Sequence, residues 1–230
     1  MKENKPQPAS STSTSKERKG LSIYGLGSSR IELNSIEIPR MRWSPPKARE
    51  LFLFLLDRAP LSRDETLATF WPDMSLARAA ANMRVMLYRL RRVVGTDIIL
   101  IEDQTYKLSD SVDFEYDVKH FEAIAKSALA LSTHEPRRIG LLAKAAALYT
   151  GDYLPDLYFD WTLSRREELS SLHNRVLLEY ADELINLTRY SEARTVLSKA
   201  IIAEPYRDEL HERMLICLAE LGQRHEMVNY

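Results

Sequence analysis

The 230-residue chain is poor in the residues that build disulfides, phosphate-binding loops and membrane spans. A single cysteine excludes an internal disulfide and is typical of a reducing compartment. Seven glycines leave little material for the glycine-rich loops that hold phosphates. No apolar run reaches membrane-spanning length, and residues 1–20 contain no apolar signal region. These absences predict a cytoplasmic protein that is not exported.

The sequence also lacks the residue spacing of catalytic and metal sites. Its five histidines form no pair at metal-ligand spacing, and the lone Cys217 cannot complete a zinc site. Adjacent carboxylates such as Glu167 and Glu168 point to different sides of a helix, which does not suit an acid–base pair. Residues 25–27 (GLG) resemble a dinucleotide-binding loop, but the third glycine is missing, which favours a hairpin turn. We therefore predict no enzyme activity, no cofactor and no metal.

Acidic residues are absent from Ser75 to Gly95, a stretch that contains five arginines. Small side chains between the arginines let a helix approach a groove, where Arg and Asn bind guanine and adenine edges. The pattern predicts a DNA-recognition helix, although an arginine-rich surface helix without DNA-binding activity fits it too. An apolar row at helical spacing predicts a face buried in a core: Leu76, Ala79, Ala80, Met83, Leu87, Leu90 and Val94.

The predicted DNA-binding residues come from the opposite face of this helix and from the hairpin that follows it. The groove-facing candidates are Arg78, Asn82, Val85, Arg89 and Arg92, with Tyr88 on the same outer side. The phosphate-contacting candidates are Arg84, Arg91 and Lys107, and the hairpin also offers Gln104, Thr105 and Tyr106.

The elements around this helix have the order of a winged helix-turn-helix domain, which we place at 21–110. The third helix of such a domain enters the major groove, and its hairpin wing reaches the neighbouring backbone. The predicted elements are a disordered tail at 1–20, strands at 21–26 and 30–38 with a turn at Asn34-Ser35, a helix from Ser44-Pro45 to Pro60, a second helix from the Ser62 capping box through Phe70, the recognition helix, and a hairpin of 96–102 and 105–109.

The second half, 111–230, is predicted to be almost entirely helical from Val112 onward. It contains 14 Lys and Arg against 20 Asp and Glu, whereas the first 110 residues contain 18 against 13, so the halves favour different partners. A 34-residue period relates Leu187 to Leu221, which is typical of tetratricopeptide repeats and predicts a repeat domain cut short at Tyr230. The predicted helices are 117–131, 136–150, 162–187 with a capping box at Ser164, 191–203, 207–221 and 223 to the end.

Some side chains admit two interpretations. Trp43, Trp71 and Trp161 can stack on bases, but beside proline-rich turns they are more typical of core anchors. A long apolar face on the 162–187 helix suits the domain core or, alternatively, a dimer surface: Leu172, Val176, Leu177, Tyr180, Leu184 and Leu187.

Several short motifs occur in order along 21–230, and none is specific alone: PKAREL at 46–51, FWP at 70–72, AANMR at 80–84, LRR at 90–92, YKL at 106–108, Asp117 with Phe121, ALY at 147–149 with GDYL at 151–154, Trp161 with Arg165, EPYRDE at 204–209 and HER at 211–213. The ordered set resembles the bacterial antibiotic regulatory proteins, in which a response-regulator-type winged helix precedes a bacterial transcriptional activator domain.

The resemblance implies a transcription activator that binds promoter DNA sequence-specifically, commonly as a dimer on direct repeats, and contacts RNA polymerase. It places the polymerase contact in the loop of Pro72, Asp73 and Met74, for which a plain connector is the alternative interpretation. Two other functions stay open. One is the regulatory N-terminal part of a larger signalling ATPase, and the other is a repeat-based protein-interaction module that does not bind DNA.

Overall fold

The computed structural model describes residues 19–96, 98–110, 112–133 and 135–230. Helices make up most of these residues, and each helix after residue 116 lies within two residues of its predicted bounds. The helices are α1 Pro46–Arg58, α2 Arg63–Phe70, α3 Leu76–Val94, α4 Asp117–Ala130, α5 Arg138–Leu148, α6 Asp160–Asn186, α7 Tyr190–Ala203, α8 Asp208–Glu220 and α9 Arg224–Asn229.

The strands form two small sheets, both in the first half of the fold. One sheet has the strand order β3-β2-β1-β7, and the other has the order β4-β6-β5. Their bounds are β1 Lys19–Tyr24, β2 Arg30–Leu33, β3 Ile36–Glu37, β4 Leu61–Ser62, β5 Ile99–Glu102, β6 Thr105–Leu108 and β7 Val112–Tyr116. A small sheet, three helices and a hairpin followed by helical pairs confirm the predicted fold class.

Strand β7 is the main element that the sequence did not predict, because the chain from Val112 onward was expected to be almost entirely helical, with its first helix near residue 117. Residues 112–116 pair in parallel with β1, so that Phe114 lies opposite Leu21. Exposure alternates along β7, as expected where one face of a strand packs against a core. The first sheet therefore contains residues on both sides of the predicted domain boundary at residue 110.

Strand β1 begins inside the segment predicted to be a disordered tail. Lys19 and Gly20 are its first residues, and the Gly20 N–H donates to the Asn34 side chain. The rest of the predicted tail lies outside the described residues.

Tight turns join the short strands where the sequence predicts them. Asn34 and Ser35 connect β2 to β3 with positive φ angles of 52° and 62°. Asp103 and Gln104 connect β5 to β6 with φ angles of 46° and 60°. Two successive residues with positive φ match the twist of a two-residue hairpin, for which Asn and Asp are well suited.

The structure confirms one predicted helix start and corrects two. Ser62 and Glu65 form the reciprocal capping box at the start of α2. Helix α1 begins at Pro46, because Pro45 is the N-cap residue and a proline suits the first helical position. Ser164 does not cap a helix, since α6 begins four residues earlier and the Thr162 hydroxyl accepts the Phe159 N–H.

The 34-residue repeat is visible in the backbone at the ends of α6 and α8. Thr188 and Gly222 occupy equivalent positions and both have left-handed φ angles, 57° and 70°. The next N–H donates back to the helix at both ends, from Arg189 to the Leu184 carbonyl and from Gln223 to the Leu218 carbonyl. Matching helix ends of this kind give both helical pairs the same turn.

The largest hydrophobic core runs through both halves of the fold. It contains the buried rings of Trp43 and Trp71, and Trp161 packs against it, which confirms the core-anchor interpretation of all three tryptophans. Along α6 the predicted apolar face is buried at Val176, Leu177 and Leu184, whereas other members of that face are partly buried or exposed. The dimer-surface interpretation of α6 stays a prediction. None of the helices among the described residues is both long enough and apolar enough to cross a bilayer.

Candidate nucleic-acid interface

Helix α3 has one buried face and one charged face, as its sequence predicts. Its buried residues are Ala79, Ala80, Met83, Leu87, Leu90 and Val94. Leu76, which the spacing predicts on the same face, is 65% exposed, because the helix enters the core only from Ala79 onward. The spacing was therefore right for six of the seven residues.

The outer face of α3 projects away from the core and carries most of the predicted contacts. Val85 is 48% exposed and Tyr88 is 63% exposed on this face. The exposed members of the predicted set on this helix are Arg78, Arg84, Val85, Tyr88, Arg89 and Arg92. The helix contains no acid, so nothing within it neutralises these guanidinium groups.

Three predicted residues of α3 bond to neighbouring segments: Asn82, Arg91 and Arg89, which donates to the Ser44 carbonyl. The Asn82 amide lies 3.2 Å from the Met74 sulfur in the loop before the helix. Arg91 donates from Nη2 to the Ile99 carbonyl at 3.1 Å, and its side chain is half-buried between α3 and β5. Arg91 therefore holds strand β5 of the wing against the helix. The spacing of residues along α3 cannot predict this contact, because it involves a second element.

The wing is the β5–β6 hairpin, and strand alternation decides which of its side chains are accessible. Tyr106, a predicted DNA contact, is only 3% exposed, because it points into the core while its neighbours point outward. Burial raises the pKa of its hydroxyl. Thr105 is half-buried and pairs with Ser62 of β4, while the Gln104 carbonyl accepts the Arg63 N–H.

Lys107 is exposed on the wing and is paired there with an acid. Its ammonium lies 2.7 Å from a Glu102 carboxylate oxygen across the hairpin. This hydrogen bond raises the pKa of Lys107, so the ammonium stays charged. The wing thus presents a cation whose charge is partly offset by its neighbour.

Two clefts border the outer face of α3. The cleft toward the wing has a volume of about 510 Å³ and is lined by Arg84, Leu87, Tyr88, Arg91, Arg92, Thr96 and Ile101. The cleft on the other side has a volume of about 290 Å³ and is lined by Arg42, Ser44, Arg89, Arg92 and Val93. Arg42 is not among the residues predicted from the sequence, and its only signal there is its place in a basic run beside the first helix.

The loop between α2 and α3 is exposed at all three residues predicted to contact polymerase, Pro72, Asp73 and Met74. Next to it lies a cleft of about 350 Å³ lined by Lys47, Ala68, Thr69, Phe70, Pro72, Phe159, Asp160 and Trp161. The Lys47 ammonium donates to the Phe70 carbonyl at 2.9 Å and lies 5.1 Å from the Trp71 ring centroid. The loop is therefore anchored at its base and open at its tip.

The carboxylate of Asp117 connects the helical half to the winged-helix half by accepting hydrogen bonds from backbone N–H groups. Asp117 at the start of α4 accepts the N–H groups of Gly25 and Leu26 at 2.7 and 3.0 Å. Burial raises the pKa of this carboxyl, and the two N–H donors oppose that rise.

The GLG segment is the connection between antiparallel β1 and β2, which confirms its hairpin interpretation.

Residues 116–230 match the family model described as Bacterial transcriptional activator domain. The chain belongs to this family. Family membership places it among regulatory proteins, and the motif-based resemblance to the bacterial antibiotic regulatory proteins is confirmed.

Two curated relatives of this bacterial transcriptional activator domain protein are the regulatory protein AfsR of Streptomyces griseus and that of Streptomyces coelicolor. They are 24% identical over 186 residues and 23% identical over 190 residues. Each alignment covers 79% of this chain and 19% of the relative. The chain therefore spans about a fifth of the length of these relatives.

A solved structure with a similar fold is that of EmbR from Mycobacterium tuberculosis in complex with a low-affinity phosphopeptide. The TM-score is 0.73 at 18% identity, and the match covers 92% of this chain and 58% of EmbR. At this identity the likeness supports the fold alone.

Proposed function

We propose that this member of the bacterial transcriptional activator domain family is a sequence-specific DNA-binding activator. The observation that carries the proposal is the outer face of α3, which combines exposed arginines with no acid anywhere in the helix. Such a face attracts the phosphate backbone and has side chains that can bind base edges. Double-stranded DNA in the bacterial cytoplasm is its expected ligand.

Within this proposal the exposed side chains have two roles. Arg78, Asn82, Val85, Arg89 and Arg92 face the major groove, whereas Arg84, Arg91 and Lys107 contact phosphates, with Tyr88 and Thr105 beside them. The bond between Arg91 and Ile99 gives Arg91 the second task of positioning the wing.

The test of DNA binding uses the exposed Arg78, which makes no hydrogen bond or ion pair with the part of the chain that the structure describes. Binding to a duplex selected from a random library is measured by fluorescence anisotropy. Arg78→Ala should cost about 1–3 kcal/mol on the selected duplex and much less on unselected DNA. Arg224→Ala, an exposed arginine of α9, is the matched control and should bind like wild type. If the wild-type chain bound no DNA at low salt, the proposal would be refuted.

We also propose that the Pro72-Asp73-Met74 loop contacts RNA polymerase. The loop is exposed and lies beside a cleft with the aromatic side chains Phe159 and Trp161, a combination suited to a protein partner. Asp73→Ala with Met74→Ala should leave duplex binding unchanged and lower transcription from a promoter that carries the selected site. Loss of transcription together with DNA binding, or loss of neither, would contradict this assignment.

The expected state on DNA is a homodimer. Sedimentation of the chain with a duplex that carries one or two selected sites tests this directly. Two chains on two sites, with the second bound more tightly than the first, support a dimer. Independent binding at each site would contradict it.

A further inference from the structure

We propose that Arg42 binds one backbone phosphate of duplex DNA in the cleft that it shares with Arg89 and Arg92, whose groove-facing guanidinium groups add positive charge there. The site is the cleft of about 290 Å³ on the side of α3 that faces away from the wing. This proposal rests on the proposed DNA-binding function and adds to it a contact from outside both the recognition helix and the wing.

Arg42 is held in a fixed position by the residue that follows it. It ends a single 3-10 turn, Arg40–Arg42, and the next residue is the buried Trp43. The Trp43 ring stacks on Phe52 of α1 with centroids 5.3 Å apart, and its N–H closes the turn on the Arg40 carbonyl at 3.0 Å. The Arg42 backbone is thereby anchored to the core while its side chain is exposed.

The cleft is lined by three guanidinium side chains and by no carboxylate. Arg89 donates from Nη1 to the Ser44 carbonyl at 3.1 Å, which orients this guanidinium and leaves other N–H donors free. Within the described residues, neither Arg42 nor Arg92 forms an ion pair. Guanidinium groups that line one cleft without a carboxylate are suited to bind a phosphate, because a phosphate accepts paired hydrogen bonds from an arginine side chain.

The position of the cleft on the helix agrees with the geometry of a groove. At about 100° per residue, Arg89 and Arg84 lie about 140° apart, on opposite flanks of the outer face. A helix in the major groove, which is about 12 Å wide, has a phosphate strand on each flank. Arg84 and the wing serve one flank, and the Arg42 cleft serves the other.

The first experiment compares the salt dependence of DNA binding. Arg42→Ala should weaken binding about tenfold on selected and unselected duplexes alike, and it should reduce the slope of log K against log salt by about 1. Arg175→Ala removes the same charge from the exposed surface of α6 and should leave the slope unchanged. A slope for Arg42→Ala equal to that of wild type would overturn the proposal.

The second experiment locates the phosphate. A series of selected duplexes, each with one neutral methylphosphonate, is bound to wild type and to Arg42→Ala. One position beside the major groove should weaken wild type clearly more than Arg42→Ala, because the variant has already lost the Arg42 contact with that phosphate. If every position weakens both proteins equally, Arg42 does not bind a phosphate. Absence of wild-type binding to all duplexes would instead refute the proposed function, so the two failures are distinguishable.

Discussion

Asp57 of α1 and Arg165 of α6 form a buried ion pair between the two halves of the fold, with the Arg165 Nε 3.2 Å from a carboxylate oxygen. The Asp57 side chain is 1% exposed. Arg165 also lies 2.9 Å from Glu122 and 3.0 Å from Glu168. Burial raises the pKa of Asp57, and the charge of Arg165 opposes that rise. The pair ties α1, against which α3 packs, to α6, the longest helix among the described residues.

Removal of Arg165 should destabilise the protein because it leaves the buried Asp57 charge with only Arg58, whose Nε is more distant at 3.6 Å and whose side chain is 39% exposed. We expect Arg165→Met to lower the free energy of unfolding by about 3–5 kcal/mol, measured by urea denaturation. Glu168→Gln removes only the exposed partner and should cost less than about 1 kcal/mol. The double variant Asp57→Leu with Arg165→Met should recover part of the loss. A double variant no more stable than Arg165→Met would contradict the buried-charge explanation.

Position 27 should not tolerate a side chain, because Gly27 lies directly against Thr150. Gly27 has a φ of 74°, and a Cβ built there would lie 2.9 Å from the Thr150 hydroxyl and 3.1 Å from its backbone. Left-handed strain and overpacking together predict that Gly27→Ala costs about 2–4 kcal/mol of unfolding free energy. Gly20→Ala is the control, since a Cβ there meets nothing within 4 Å. Thermal unfolding compares the two variants, and equal midpoints would refute the predicted clash.

Stability should fall in mild acid because of His173. Its ring stacks on Tyr149 with centroids 4.2 Å apart, and burial, with a smaller effect of Lys199, lowers its pKa to about 4. An unfolded histidine has a pKa of about 6.5, so between these values only the unfolded chain binds the proton. Unfolding therefore becomes easier as the pH falls through that window, by up to about 3 kcal/mol in total.

A histidine variant separates this effect from other acid-sensitive groups. Between about pH 7 and pH 5, His173→Gln should lose about 2 kcal/mol less unfolding free energy than wild type, measured by urea denaturation at each pH. His225→Gln changes an exposed histidine of α9 and should follow wild type. Parallel losses in wild type and His173→Gln would show that another group is responsible.

Removal of the acid from the wing should strengthen DNA binding. Glu102 holds the Lys107 ammonium at 2.7 Å and places a negative charge on a surface proposed to face phosphates. Glu102→Gln should tighten binding to the selected duplex about threefold at low salt, and the gain should shrink as salt screens the charges. Glu220→Gln makes the same charge change at the end of α8 and should have no effect. Equal affinity of both variants would place the wing outside the interface.

Local patterns in the sequence were sufficient to predict the elements that carry the candidate interface. The buried face of α3, the capping box at Ser62 and the positive-φ turn at Asp103-Gln104 each depend on a few consecutive residues. The 34-residue repeat is equally local, because each copy forms its own helix end at Thr188 and Gly222. For such elements the side-chain period and the turn residues already contain the necessary information.

Contacts between distant segments were decided only by the tertiary structure. The parallel pairing of β7 with β1, the bond from Arg91 to Ile99 and the cleft that joins Arg42 to Arg89 each involve two separate elements. A periodic pattern tells which side of its own helix or strand a residue occupies, but not which other segment will pack there. The amino-acid sequence by itself thus determined that a positive helix with a core face exists. Only the tertiary structure decided which of its arginines are exposed, that Arg91 bonds to the wing, and that Arg42 lies in the same cleft as Arg89.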